Sequence, residues 1–101
     1  MDQLELDLMQ IISYSGDAKS LCFEALKKIR TNKKEEGLQL LDQAEESLIQ
    51  AKKVHAHLLQ ECALGENNAV NLLTVHAEDQ MMSSETILSL IKELLFFMKK
   101  M

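Results

Sequence analysis

The absence of proline is the feature that most constrains this chain. Proline interrupts helices, and none occurs among the 101 residues, while glycine occurs only three times. Turns must therefore fall at the few glycines and at clusters of polar turn-forming residues, which occur at 31–33 and 65–68. These two breaks divide the chain into three long segments, and 47% of the chain is hydrophobic. We therefore predict one all-α domain over 1–101.

Apolar residues in each segment recur every three or four positions, which is the period of an α-helix. The pattern predicts helices over about 3–30, 34–63 and 68–100. Gly65 is placed to end the second helix, and Asn67 or Asn68 to cap the third. The apolar arc of the third helix covers about half of its circumference, which exceeds what one neighbouring groove can bury. We therefore expect part of this helix to contact another copy of the chain.

Charge and composition exclude several classes of function. Sixteen acidic against eleven basic side chains give a net charge of −5, which disfavours nucleic acid and anionic membranes as partners. Glycine is too sparse for a nucleotide-binding loop, and the apolar runs are too short to insert into a membrane. Cys22 and Cys62 are too few for a disulfide framework, and no signal segment precedes them. We expect a cytoplasmic protein with both cysteines in its core.

Four polar residues interrupt the apolar arc of the third helix. They are His76, Asp79, Gln80 and Ser83, whose spacing places them on one face. Burying a carboxylate and an imidazole there costs several kcal/mol unless each has a partner. A neutral imidazole is a competent nucleophile near pH 7, so His76 could accept a phosphoryl group; a histidine that only completes a core or interface is the alternative. Glu78 projects to the polar side of the helix, where we expect it to be solvated.

Other residues with chemical potential have simpler interpretations. His55 and Cys62 share a face of the second helix, but His57 points elsewhere and no C-x-x-C motif supports them, so zinc is not predicted. Gly16 lies inside the first helix, where glycine is unfavourable. Close packing of a neighbouring helix over Ser15 and Gly16 is favoured over a local break.

Two segments resemble a known family. V-H-A-E-D-Q-M-M at 75–82 resembles the V-H-A-Q-D-H-L-M motif of IIA components of the lactose/cellobiose (chitobiose) class of the bacterial phosphoenolpyruvate-dependent sugar phosphotransferase system. I-I-S-Y-S-G-D-A-K-S at 11–20, followed by E-A-L-K at 24–27, is similar to the family's first-helix motif. The motifs occur in the family's order, and the resemblance covers nearly the whole chain. It implies an antiparallel three-helix bundle that assembles as a homotrimer.

The resemblance also implies roles for individual residues. His76 corresponds to the family's phosphorylated histidine, a tele-phosphohistidine that receives its phosphoryl group from the phosphocarrier protein HPr. The group then passes to a cysteine of the cognate IIB component during uptake of a disaccharide such as cellobiose, chitobiose or lactose. Asp79 corresponds to an aspartate at the trimer axis that helps bind a divalent cation, expected to be Mg²⁺, and Leu72 would line the same seam. No nucleotide is implied.

The sequence departs from the family motif at two positions. Glu78 stands where the family usually has glutamine, and Gln80 where it usually has a second histidine. Gln80 keeps N–H donors that can bind a phosphate oxygen, so we expect it to give polar support to His76. A non-catalytic oligomeric helical adaptor stays open as an alternative. So does a two-component histidine-phosphotransfer domain, although such domains usually have four helices and basic and glycine residues after the histidine.

Overall fold

The computed structural model describes residues 1–66 and 70–99. These residues form three helices and no strand: α1 (Gln3–Arg30), α2 (Lys34–Ala63) and α3 (Leu72–Lys99). The all-α prediction is confirmed, and the first two helices lie where the apolar spacing placed them. A short turn joins α1 to α2 at 31–33, where Asn32 adopts a left-handed φ of 65°. Gly65 has a φ of 84° just beyond α2, which confirms its predicted role at the helix end.

The start of α3 differs from the prediction. Residues 70 and 71 are not helical, so α3 begins at Leu72 rather than at 68. The Asn71 side chain accepts a hydrogen bond from the Thr74 N–H (3.0 Å), and the Asn71 N–H donates to the Thr74 hydroxyl (2.9 Å). These reciprocal bonds satisfy donors at the helix start, which is why the helix begins there. The predicted caps Asn67 and Asn68 lie outside the described residues.

The helix α1 lies between the other two. It packs along both α2 and α3, whereas α2 and α3 contact each other least. Many of the fully buried side chains on α1 and α2 are small, which lets these helices approach closely: Ala18, Cys22, Ala25, Ala44 and Ala51. Burial raises the pKa of the Cys22 thiol, while the positive charge of Lys92 acts in the opposite direction.

Gly37 permits the close approach of α1 and α2. A Cβ added there would lie 2.6 Å from Ile29 Cγ1 and 2.9 Å from the Ala25 carbonyl oxygen. Both distances are shorter than van der Waals contact, so no larger side chain fits without a shift of α1. The periodicity of the sequence did not single out this glycine, because spacing along one helix carries no information on the distance to the next.

The predicted packing over Ser15 and Gly16 is right for one residue and wrong for the other. The Ser84 hydroxyl of α3 donates to the Ser15 carbonyl oxygen (2.7 Å), and both residues are fully buried. A Cβ added at Gly16 would meet nothing within 4 Å, so no helix covers it. The helix α1 continues through Gly16 without a break.

The prediction of a core position is confirmed for Cys22 but wrong for Cys62, which is exposed because it lies on an open groove.

Within the described residues, three polar side-chain contacts join the exposed sides of α2 and α3. Glu45 pairs with Lys92 (2.6 Å), Lys52 with Glu85 (2.9 Å) and His55 with Glu78 (2.5 Å). Residue numbers rise along α2 as they fall along α3, so these helices are antiparallel. The bundle therefore runs up, down and up, as the resemblance implied. None of the helices in the described ranges is long and apolar enough to cross a membrane.

Candidate functional site

One side of α3 is not covered by any other part of the chain that the structure describes. We call it the open face of α3; its exposed members are Leu72, Val75, His76, Asp79, Met82, Thr86, Leu90 and Phe97. At about 100° per residue these positions form a continuous strip along the helix. Leu72 is 85% exposed and Leu90 58% exposed, although both are large and apolar. The part of the apolar arc that α1 does not cover is therefore open, as the width of the arc predicted.

His76 is exposed on this open face. The sequence places His76 and Asp79 within an apolar arc, where burial of either would need a partner, and the single chain leaves both exposed to solvent. Neither makes a hydrogen bond or ion pair within the described parts of the chain. In a histidine the Nε2 atom lies farthest from the backbone, so an exposed ring presents this nitrogen to an approaching protein. The arrangement meets the steric requirement for phosphoryl transfer between proteins.

Gln80, one helical turn after His76, connects α3 to α1. Its Oε1 accepts a hydrogen bond from Lys19 Nζ (3.2 Å), and the pair is partly buried. Lys19 belongs to the first motif and Gln80 to the second, so the fold brings together the two segments that carried the family resemblance. Sequence reasoning placed Gln80 beside His76 but missed Lys19. The only available signal was the lysine within G-D-A-K-S at 16–20.

Glu78 points to the opposite side of α3 from His76 and contacts α2. Its carboxylate lies 2.5 Å from His55 Nε2, and its side chain is 49% exposed. The prediction of a purely solvated Glu78 is therefore incomplete, since the carboxylate has a specific partner. This pairing keeps a negative charge on the α2 side of the helix and away from His76.

An apolar groove of about 550 Å³ opens beside the open face, at the end of the bundle formed by the start of α1, the end of α2 and the start of α3. Its lining is mainly aliphatic: Leu4, Leu8, Leu58, Leu59, Val70, Val75 and Met82. His55, Cys62, Glu78 and Asp79 also border it. The groove and His76 therefore lie at the same end of the molecule.

The candidate metal ligands are dispersed in a single chain. His57 pairs with Glu61 on its own helix (2.6 Å) and does not join His55. Within 1–66 and 70–99, no three His, Cys, Asp or Glu side chains lie close enough together to hold a metal ion. Within these ranges, Asp79 therefore belongs to no cluster of three candidate ligands.

Comparison with known proteins agrees with this geometry. Residues 7–99 match the sequence model of the family described as "PTS system, Lactose/Cellobiose specific IIA subunit". The oligo-beta-mannoside-specific EIIA component of Bacillus subtilis is 37% identical over 90 residues, which cover 89% of this chain and 82% of that protein. The N,N'-diacetylchitobiose-specific EIIA component of Escherichia coli is 32% identical over 100 residues, covering 99% and 86%.

Solved structures show the same architecture. The cellobiose-specific enzyme IIA of Bacillus anthracis superposes with a TM-score of 0.91 at 31% identity, covering 99% of this chain and 92% of that one. PtcA from S. mutans gives a TM-score of 0.90 at 31% identity, covering 98% and 99%. The similarity in sequence and fold thus extends over nearly the full length of this chain and of each solved structure. The chain belongs to the lactose/cellobiose-specific IIA family of the sugar phosphotransferase system.

Proposed function

We propose that this protein is a phosphocarrier that accepts a phosphoryl group from phospho-HPr on His76 and passes it to the cysteine of a cognate IIB component. The observation that carries the proposal is the exposure of His76 on the open face of α3, at the position that the resemblance implies is the phosphorylated histidine. Such transfer needs no nucleotide, because the donor is already phosphorylated and the work consists of positioning and charge stabilisation.

The chemistry requires one accessible nitrogen. The lone pair of His76 Nε2 attacks phosphorus, the N–P bond forms, and the bond between phosphorus and its donor breaks with its electron pair left on the donor. In the second transfer the cysteine thiolate attacks phosphorus, the S–P bond forms, and the electron pair of the N–P bond returns to Nε2. The tele position is supported by the shape of histidine, since Nε2 is the ring nitrogen that lies farther from the backbone.

The open face supports assembly as a homotrimer. Soluble monomers rarely expose a continuous strip of large apolar side chains, and Leu72, Leu90 and Phe97 are each more than half exposed. Three copies arranged around an axis along α3 would cover this strip on every subunit. The family resemblance supports three copies rather than two. In this arrangement His76 lies at the edge of the seam, where HPr or a IIB component can still reach it.

Asp79 suits a divalent cation only in such an assembly. It is exposed on the open face and has no ion pair within the described residues, so its charge is uncompensated in a single chain. Three copies would supply carboxylate oxygens, which are the ligands that Mg²⁺ prefers. The cation would neutralise three like charges at the seam. We expect Asp79→Leu to keep or raise the melting temperature, because an apolar seam replaces a charged one, and to abolish the response of that temperature to Mg²⁺.

Phosphorylation in a reconstituted system tests the function. Incubation with phosphoenolpyruvate, enzyme I and HPr should add one acid-labile phosphoryl group, measured by mass spectrometry. His76→Ala should remove the labelling, whereas His57→Ala, which removes an exposed histidine on α2, should not. A helical adaptor would gain no phosphoryl mass. Undiminished labelling of His76→Ala would contradict the assignment.

The transported sugar is proposed only as a class. Relatives are named for oligo-beta-mannosides, lactose and diacetylchitobiose, so we propose a disaccharide or short oligosaccharide such as cellobiose, chitobiose or lactose. Neither the open face of α3 nor the groove has to contact sugar in this scheme, because only phosphorus passes through His76. We propose that the protein acts in the cytoplasm, where HPr and the IIB component meet it.

A further inference from the structure

Lys19 differs from the other lysines that bridge helices. Lys28, Lys52 and Lys92 each pair with a glutamate. Lys19 is partly buried between α1 and α3, and its recorded partner is the neutral amide of Gln80. No carboxylate within the described ranges lies in ion-pair distance of its Nζ atom. The fold therefore holds an ammonium group next to the site without compensating its charge.

The hydrogen bond also fixes the orientation of Gln80. A lysine ammonium is only a donor, so the atom of Gln80 that contacts it must be the carbonyl oxygen Oε1. The two N–H groups of the same amide are then left to donate elsewhere. Lys19 and Gln80 together present donors and a positive charge, which is the combination that binds a phosphoryl oxygen.

This pair lies within reach of His76. Residues four apart on a helix have Cβ atoms about 5–6 Å from each other, so the Gln80 side chain is the neighbour of the His76 ring on the α1 side. On α1, Gly16 lies one turn before Lys19, and a Cβ added there would meet nothing within 4 Å. No side chain fills the space at Gly16, on the same side of α1 as Lys19, and a phosphoryl group held by Lys19 would need such a space.

We propose that Lys19 and Gln80 form an anion-binding subsite that holds the oxygens of the phosphoryl group during its transfer to and from His76. The inference rests on the proposed phosphocarrier function. Lys19 supplies a positive charge beside Gln80, which stands where the family usually has a second histidine. The pairing of Glu78 with His55 keeps the nearest glutamate of α3 on the other side of the helix.

Single-turnover transfer from phospho-HPr tests the subsite. Lys19→Met should lower the rate constant at saturating phospho-HPr by about ten- to a hundredfold, with little change in the concentration that gives half saturation. Lys19→Arg should recover most of the rate, since it restores charge and donors. The matched control is Lys27→Met, which removes the same charge from an exposed position farther along α1 and should transfer at the wild-type rate.

The outcomes separate this inference from the proposed function. A wild-type protein that gains no phosphoryl group overturns both. If the wild type is labelled and Lys19→Met transfers as fast as Lys27→Met, the subsite alone is overturned. The same holds if Lys19→Met changes only the phospho-HPr concentration that gives half saturation and leaves the rate constant unchanged. Circular dichroism checks that Lys19→Met keeps its helices. If it does not, Gln80→Leu probes the same subsite from α3, and a wild-type rate in that variant overturns the proposal.

Discussion

The α1–α2 interface and the open face of α3 have the same apolar period but opposite surroundings. Between α1 and α2, small side chains are fully buried and Gly37 permits backbone approach. On α3, Leu72, Leu90 and Phe97 are each more than half exposed. The comparison teaches that the same helical repeat of apolar residues can form a core within the chain or an apolar surface that the chain leaves exposed. Small residues occur at the closest α1–α2 contacts, among larger buried side chains such as Ile11 and Leu48.

The largest expected effect comes from placing an aspartate at a buried position of α3 rather than at the exposed position next to it. Ile91 is 2% exposed, whereas Leu90 is 58% exposed. Ile91→Asp should unfold the protein, since it buries an unpaired carboxylate and removes core packing, at a cost of about 4 kcal/mol or more. Leu90→Asp should keep its helices and should not form the proposed homotrimer. Circular dichroism and analytical ultracentrifugation measure the two properties, and loss of helix in both variants would contradict the division.

The second effect compares two glycines inside helices. Gly37→Ala should lower the free energy of unfolding by about 1–2 kcal/mol, because the new Cβ overlaps Ile29 and the Ala25 carbonyl oxygen. Gly16→Ala should raise it by about 0.5–1 kcal/mol, since the position is open and alanine favours the helix. Urea unfolding at a fixed protein concentration measures both. Equal changes in the free energy of unfolding would contradict the close approach of α1 and α2 at Gly37.

The third effect concerns the buried contact between α1 and α3. Ser84→Ala removes the hydroxyl that donates to the Ser15 carbonyl oxygen and should lower the free energy of unfolding by about 1 kcal/mol. Ser15→Ala is the control, because the buried Ser15 hydroxyl has no hydrogen-bond partner in the described chain. Its removal should leave stability unchanged or slightly higher. Urea unfolding tests this ranking, and a larger loss in Ser15→Ala would reverse it.

The smallest effect concerns the ion pairs between α2 and α3. The Lys52 and Glu85 side chains are 48% and 43% exposed, so solvent and salt screen their attraction. Lys52→Met should change the free energy of unfolding by less than about 0.5 kcal/mol. Thermal unfolding at low and high salt measures it. A loss above about 1.5 kcal/mol would mean that α3 is held by α2 as firmly as by α1.

The positions of the helices could be predicted because apolar spacing is a local signal. The start of α3 could not be predicted, because several asparagines after Gly65 are candidate N-caps in the sequence. Asn71 has Thr74 three residues later, and the hydrogen bonds between these two residues complete the cap. Gly16 and Gly37 look equivalent in sequence and differ only in their distance to another helix.

The candidate site was predictable to the same extent. A helical wheel placed His76, Asp79 and Gln80 on one face, and the family resemblance gave them roles. Neither the wheel nor the motif could show which residue of α1 faces Gln80, because that depends on the register between two helices. Lys19 was therefore missed, as was the partner of Glu78 on α2. Contacts between residues far apart in sequence need the packed structure.

The unequal burial of the two cysteines gives the protein a built-in labelling site. Cys62 is exposed on the border of the apolar groove, whereas Cys22 is buried and its thiol pKa is raised, so it stays protonated and unreactive. A maleimide fluorophore should therefore attach at Cys62 without any engineered mutation. Its emission would report, in real time, the arrival of a partner at the end of the bundle that carries His76.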